Sequence, residues 1–280
     1  GRRYRGQTDD PLSEKGWQQM REAVGEHRPW DVIVSSNDKL TSRLGGGLGY
    51  KLPEVFTEKA EELNFRNILP LPQGELQSEK SYGLNFDLNY KTIIADEVTL
   101  SVNNLFFYTR ITDPVILVNN VQGNLYSFES FDGHYDTEGI ETNIKVTYRD
   151  YKLFTGYTFT DARQHSSNDD RPFPLTPKNK LGIVLMYEQH GNLRIGIEGY
   201  YTGKQKLSTG TTTSDYWVNG LMIEKGFGNI SVFLNFENIF DTKQSDYGPV
   251  YTGSISAPDF AEIFAPTDGR IINGGVKIRL

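Results

Sequence analysis

Cysteine is absent from all 280 residues, which excludes disulfides, thiolate metal sites and a cysteine nucleophile, and fits a reducing cytoplasm and an outer membrane equally well. Long apolar runs are absent too. No stretch approaches the roughly 18–20 residues that a membrane-spanning helix needs, and the chain opens on GRRYRGQ, so an exported form would carry its signal upstream of Gly1. Basic charge is in deficit: 29 Lys and Arg against 36 Asp and Glu leave a formal net charge of −7. With no basic cluster of the kind that grips phosphates, a nucleic-acid partner is not expected. Histidine is scarce and scattered, at His27, His134, His165 and His190. No pair stands at the spacing of a metal motif, so no metal site is expected, and Asp132, His134 and Asp136 read as a polar loop tip.

What the chain has in quantity is alternation. In Ile230–Phe236, Ile230, Val232, Leu234 and Phe236 alternate with Ser231, Phe233 and Asn235, the period of two of a β-strand with unlike faces. Ten such strands are expected, at about 38–50, 81–90, 98–109, 139–148, 152–160, 179–188, 192–202, 216–226, 229–239 and 269–280. The connections between them alternate between short turns near 91–97, 149–151, 189–191 and 227–228 and long loops over 51–80, 110–137, 161–178 and 203–215. Outer-membrane barrels sort their connections this way, with short periplasmic turns and long outer loops.

The two faces differ in charge. The apolar face holds Tyr82, Leu84, Phe86, Leu88 and Tyr90 in one strand, Ile183 and Leu185 in another, Ile195 in a third, and Val232 and Leu234 in the opening example. The opposite face carries Glu198, Arg194, Lys277 and Arg279 among its charges. Lys or Arg facing lipid at mid-membrane costs roughly 2–4 kcal/mol, so charge belongs toward a wet lumen. Tyr82, Tyr90, Tyr148, Tyr187 and Tyr201 stand at strand ends on the apolar face, where aromatic girdles meet headgroups. The expected fold class is therefore all-β: a partial antiparallel transmembrane barrel of about ten strands, with a short α/β segment before it. A soluble β-sandwich binding module with the apolar faces turned inward is the alternative.

Residues 1–37 follow another grammar. Trp17, Met20 and Val24 recur at helical spacing after Ser13, an expected N-cap, and WDVIVSS reads as a strand. The string RYRGQTDDPLSEKGWQQMREAV followed by WDVIVSS resembles the early part of the histidine phosphatase family, the fold of phosphoglycerate mutases. That resemblance implies a phosphorylated histidine just upstream and a second one far downstream. Neither stands in a matching position, and only Gly6, Gln7 and Thr8 align with pocket positions. Without the nucleophile, covalent phosphoryl transfer has no route, so no catalytic residue is expected.

From LGGGLGYKLPEVFTEKAEELNFRNILPL onward, through SYGLNFDLNYKT, VTLSVNNLFFYTRI, PLTPKNKL, DYWVNGLMIEKGF, NFENIFD and GGVKIRL, residues 42–280 resemble the C-terminal half of a TonB-dependent outer-membrane receptor. The resemblance implies an outer-membrane barrel filled by a plug and loops that capture iron-siderophore complexes, cobalamin, haem or glycans. Its implied partners are outer-membrane lipid, a small-molecule or glycan ligand and the TonB–ExbB–ExbD complex, whose contact segment lies outside the matched stretch. It implies no cofactor. The two resemblances together give a division into 1–37 and 38–280, a chimera of a phosphatase-like fragment and a receptor barrel that is expected to be inactive in uptake on its own. Ligand contacts are expected in the long loops, at Tyr126, Phe128, Phe131, His134 and Tyr135 in one and at Tyr247, Tyr251 and Phe260 in another, with Arg194, Glu198, Lys277 and Arg279 facing the lumen and plug.

Overall fold

The computed structural model describes residues 30–37, 39–72, 76–120, 125–167 and 169–279. The helix expected after Ser13, the pocket positions 6–8 and Leu280 lie outside them. All ten expected strands form: β2 (Leu40–Lys51), β3 (Glu79–Ile94), β4 (Val98–Thr112), β7 (Gly133–Tyr148), β8 (Tyr151–Ser166), β10 (Asn179–Gln189), β11 (Leu193–Thr202), β12 (Tyr216–Phe227), β13 (Ile230–Glu237) and β16 (Ile271–Ile278). They join one antiparallel sheet in the order β1-β2-β3-β4-β7-β8-β10-β11-β12-β13-β16. The eleventh strand, β1 (Trp30–Asn37), pairs antiparallel with β2 from Trp30 opposite Gly46 to Asn37 opposite Leu40. WDVIVSS is thus a strand of this sheet. Among the described residues neither β1 nor β16 has a partner on its outer side.

Every neighbour in the sheet is a neighbour in sequence or is separated by a small loop insert, the meander expected of hairpins in series. The turns at 95–97, 149–150, 190–192 and 228–229 alternate with loops over 52–78, 113–132, 167–178, 203–215 and 238–270. Left-handed backbone closes the short turns: φ is 51° and 57° at Ala95 and Asp96, and 64° at Gly228. The long loops hold hairpins β5 (Val115–Asn120)/β6 (Leu125–Ser130) and β14 (Tyr251–Ser254)/β15 (Ala257–Phe260), a short strand β9 (Asp170–Pro172) beside β8, and helix α1 (Glu58–Glu62). Thr57 caps α1, its hydroxyl accepting from Ala60 N–H at 3.3 Å.

Two sequence-based boundaries move. β7 starts six residues before the expected 139 and β8 ends six after 160, so the sheet rises past the apolar stretch into residues read as loop. His134 and Tyr135 therefore stand on a strand, on opposite faces.

Among the described residues the sheet has no second layer. Among the described residues the buried apolar side chains are Ala60, Phe128 and Ala265, all in loops, and no large side chain is fully buried. A sandwich of this length would close its apolar faces over a core. Here Leu84 is 55% exposed, Leu185 46% and Val232 45%. That overturns the soluble-sandwich alternative. No helix of the described residues is long and apolar enough to cross a membrane, which says nothing of crossing by strands.

Candidate functional site

Strand register fixes which side chains share a side of the wall. Leu44, Phe86, Phe106, Ile140 and Phe159 lie opposite one another across β2, β3, β4, β7 and β8. Leu185, Ile197, Leu221, Phe236 and Ile272 do so across β10 to β16. The expected outward residues Leu84, Phe86, Leu88, Ile183, Leu185, Ile195, Val232 and Leu234 all fall on this one face. Its lower edge is lined by Tyr90, Tyr148, Tyr151 and Tyr187, and its upper edge by Tyr50, Tyr82, Tyr108, Tyr201 and Trp217. The Tyr151–Tyr187 and Tyr201–Trp217 rings touch at 5.1 and 5.3 Å. On β7, Tyr148 and the partner of Tyr108, Glu138, are ten residues apart. At roughly 3.3 Å per residue and a tilt of about 45° that spans roughly 23 Å, close to the roughly 25 Å apolar band of such barrels. Charge enters this face at its ends: Lys225 at the lower rim reaches Asn192 in the turn, and Arg110, Asp136 and Arg163 stand at the upper rim.

The inner face is polar and cross-linked. Near the lower rim a ladder of alternating charge runs across six strands, from β8 to β16. Lys152 meets Glu188 at 2.5 Å, Glu188 meets Arg194, Arg194 meets Glu224 at 3.4 Å, and Glu224 meets Lys277 at 3.1 Å and accepts from the Ser231 hydroxyl at 3.0 Å. Of the lumen residues expected from sequence, Arg194 and Lys277 are rungs of the ladder. Arg279 lines a depression beside it, among Glu188, Gly226 and Ser231. Glu198 stands apart, accepting from the Tyr200 hydroxyl at 3.0 Å. Glu188 was expected on this face as well, whereas Lys152 and Glu224 were missing from the expected set, since one strand gives no sign of which charge its neighbour brings alongside. Higher on the inner face, Asn103 donates to Asp87 at 3.1 Å and to Asn89 at 2.9 Å.

The aromatic residues singled out in the loops divide by position. Phe128 is 3% exposed and packs inside its loop. Tyr126 is half-buried and tied by backbone bonds to Asn67 and Leu69 at 2.7 and 2.8 Å. Phe128 therefore presents no free ring to a ligand. Phe131, Tyr135 and Phe173 instead form a chain of rings, 5.2 and 4.8 Å between centroids, on the inner side at the outer mouth. His134 points the other way and stacks on His165. In the last long loop Tyr247 lies between Tyr216 and Phe264 at 6.2 and 5.8 Å, and burial pushes its hydroxyl pKa up. Tyr251 and Phe260 pair across the exposed hairpin β14/β15.

Side-chain amides hold these loops in place, which sequence spacing did not show. Buried Gln244 accepts from the Phe264 and Ala265 N–H groups at 3.2 and 3.0 Å, and buried Gln205 donates to the Phe264 carbonyl at 3.2 Å. At the top of β13 the NFENIFD stretch ends in a clamp. Asn238, with φ 48°, donates to the Thr242 carbonyl at 2.8 Å and accepts from Thr242 N–H at 3.0 Å. Asp241 accepts from Arg270 N–H at 2.8 Å and pairs with Lys243 at 2.8 Å. The two ends of the 238–270 loop are thus pinned to each other.

A single-layer sheet with an apolar girdled exterior and a polar interior is the geometry, and residues 35–239 match the family described as TonB dependent receptor-like, beta-barrel. The chain belongs to this TonB-dependent receptor family. That places it in the bacterial outer membrane. Solved structures with the same fold include the FrpB iron transporter from Neisseria meningitidis, F3-3 variant (16% identity, TM-score 0.65, 89% of this chain and 38% of that one). The copper transporter OprC gives 16% identity, a TM-score of 0.62 and coverage of 88% and 38%. The siderophore receptor PirA from Acinetobacter baumannii gives 16%, 0.61, and coverage of 89% and 40%. The chain thus spans well under half the length of these receptors. No curated protein matched it. The receptor match begins inside the segment resembling a histidine phosphatase, and nothing in the comparisons supports that resemblance.

Proposed function

We propose that these strands form part of the wall of an outer-membrane receptor that imports a scarce ligand, an iron-siderophore complex, cobalamin, haem or a glycan, through a plugged barrel energised by the TonB–ExbB–ExbD complex. The observation that carries the reading is the pairing of an exposed, tyrosine-bounded apolar face with a charged inner face in one sheet. In this reading Leu84, Phe86, Leu88, Ile183, Leu185, Ile195, Val232 and Leu234 meet lipid, and the ladder through Arg194 and Lys277 meets the plug. The ring chain of Phe131, Tyr135 and Phe173 at the mouth offers a stacking surface for a catecholate, porphyrin or sugar. No catalytic step is assigned to any residue.

Expressed with an export signal, the chain should fractionate with the outer membrane and require detergent for extraction; recovery as a soluble monomer in plain buffer would refute the reading. The 280 residues alone should accumulate no ligand in energised liposomes, because among the described residues the wall has two unpaired edges and encloses no pore. The division at residues 37 and 38 is also a proposal. It rests on the string in residues 1–36, and the pairing of β1 with β2 weighs against placing the junction so late. Sequencing the encoding locus tests it: an uninterrupted receptor gene through these residues removes the chimera.

A further inference from the structure

Two of the four histidines meet above the membrane band. β7 and β8 leave their turn in antiparallel register, and His134 and His165, each fourteen residues from the closing pair Tyr148–Tyr151, stand directly opposite. Their rings stack with centroids 4.8 Å apart and planes 20° from parallel. Asp136, two residues along and so on the same face, turns its carboxylate into the pair, with Oδ2 3.4 Å from His134 Nε2 and 3.6 Å from His165 Nε2. These separations exceed a good N–H···O hydrogen bond of about 2.7–3.2 Å. They match the spacing of donors around a tetrahedral ion, about 3.3 Å for bonds of roughly 2.0–2.1 Å. The three donor atoms all lie within 4.8 Å of one another, and the stacked rings would tilt toward each other to aim their in-plane lone pairs at a shared ion.

The surroundings prepare the donors. Asp170 Oδ1 lies 3.4 Å from the other ring nitrogen of His165, Nδ1, and is itself held by Arg163 at 2.9 Å. The separation from Nδ1 too is longer than a good hydrogen bond; drawn in when Nε2 takes up an ion, a carboxylate on this side of the imidazole holds the Nδ1–H tautomer that leaves Nε2 to ligate. Arg110 donates to both Asp136 oxygens at 2.6 Å and fixes the orientation of the carboxylate. The guanidinium also repels a dication, so the affinity falls below that of an isolated site of the same donors.

We propose that His134, His165 and Asp136 bind one divalent transition-metal ion of the zinc or copper class, clasping β7 to β8 at the outer rim. Two imidazole nitrogens and one carboxylate oxygen suit these ions over magnesium or calcium, which prefer all-oxygen shells. The site lies on the same side of the wall as Ile140 and Phe159, away from the lumen, and above the upper aromatic edge, so an ion reaches it from water. Only its assignment to the outside of the wall rests on the receptor reading; the donor geometry does not.

Zinc titration by calorimetry on the detergent-folded chain should give one ion per chain. His134→Ala/His165→Ala should abolish that binding. His190→Ala, in the turn at the opposite rim, should leave it unchanged. Asp170→Asn, which keeps all three donors, should weaken it by roughly tenfold or more. Electron paramagnetic resonance of the unaltered chain with one equivalent of Cu²⁺ should show coupling to two nitrogens, a readout that needs no variant to fold. Zinc binding equal in the unaltered chain and the double variant, or a copper spectrum with fewer than two nitrogens, would overturn the proposal.

Discussion

At the scale of single residues, side on the wall decides what a substitution costs. Leu185 and Val184 are chain neighbours on opposite faces, the first beside Ile197 and the second opposite Glu198. Leu185→Arg places a cation in the apolar band and should lower stability by about 2–4 kcal/mol. Val184→Arg gains an anionic neighbour and should cost less than about 1 kcal/mol. Urea unfolding in phospholipid vesicles compares the two directly, and equal losses would mean that the faces are misassigned. Asp241 gives a pH dependence. The Lys243 ammonium and then the Arg270 N–H hold its carboxyl below the ordinary 3.8. A depressed folded pKa contributes stability above the unfolded value and loses it as pH falls through the folded one. Protease resistance of the 238–270 loop should therefore hold at neutral pH and fall only on acidification below about pH 4, with Asp241→Asn already cleaved faster at neutral pH.

At the scale of elements, Phe233 shows how the wall tolerates an aromatic on its polar side. Sequence alternation marks it as a misfit needing a plug or a narrowed lumen to explain it. In the sheet it lies opposite Gly275, and a Cβ there would meet the Phe233 ring at 2.8 Å, while the Lys277 ammonium sits 5.2 Å over the same ring. Phe107 covers Gly139 and Tyr200 covers Gly182 in the same way. A ring over a bare strand glycine shields its backbone. Phe233→Ala should cost about 1 kcal/mol, and adding Gly275→Ala should recover part of it; strict additivity in the double-mutant cycle would argue against the pairing.

The strands themselves were legible because a period of two survives wherever one face is apolar throughout. The upper ends of β7 and β8 were not, because there both faces are polar and no contrast marks the period. The histidine pair was hidden for a related reason. Its spacing of 31 residues matches no motif, yet a turn centred on Arg149 and Asp150 dictates it, and the expected turn was displaced by about one residue, enough to break the register. The ladder and the loop amides were illegible because they join strands and loops far apart in sequence, and each member alone looks like an ordinary surface polar residue.

At the scale of the molecule, the absence of a buried core among the described residues means that their folding has little to gain in water. Transfer of the apolar face out of water happens only when the wall enters a bilayer, so the free energy of folding is in large part a partition free energy. The roughly 23 Å between the aromatic edges then sets a thickness preference, since mismatch costs fractions of a kcal/mol per Å. Folded yield, read as heat-modifiable mobility in gels, should be higher in vesicles of short-chain lipid than in thicker long-chain ones; the reverse order would contradict the assigned band. A melting temperature for this chain is accordingly a property of protein and lipid together, and the same 280 residues would have a different one in each membrane that receives them.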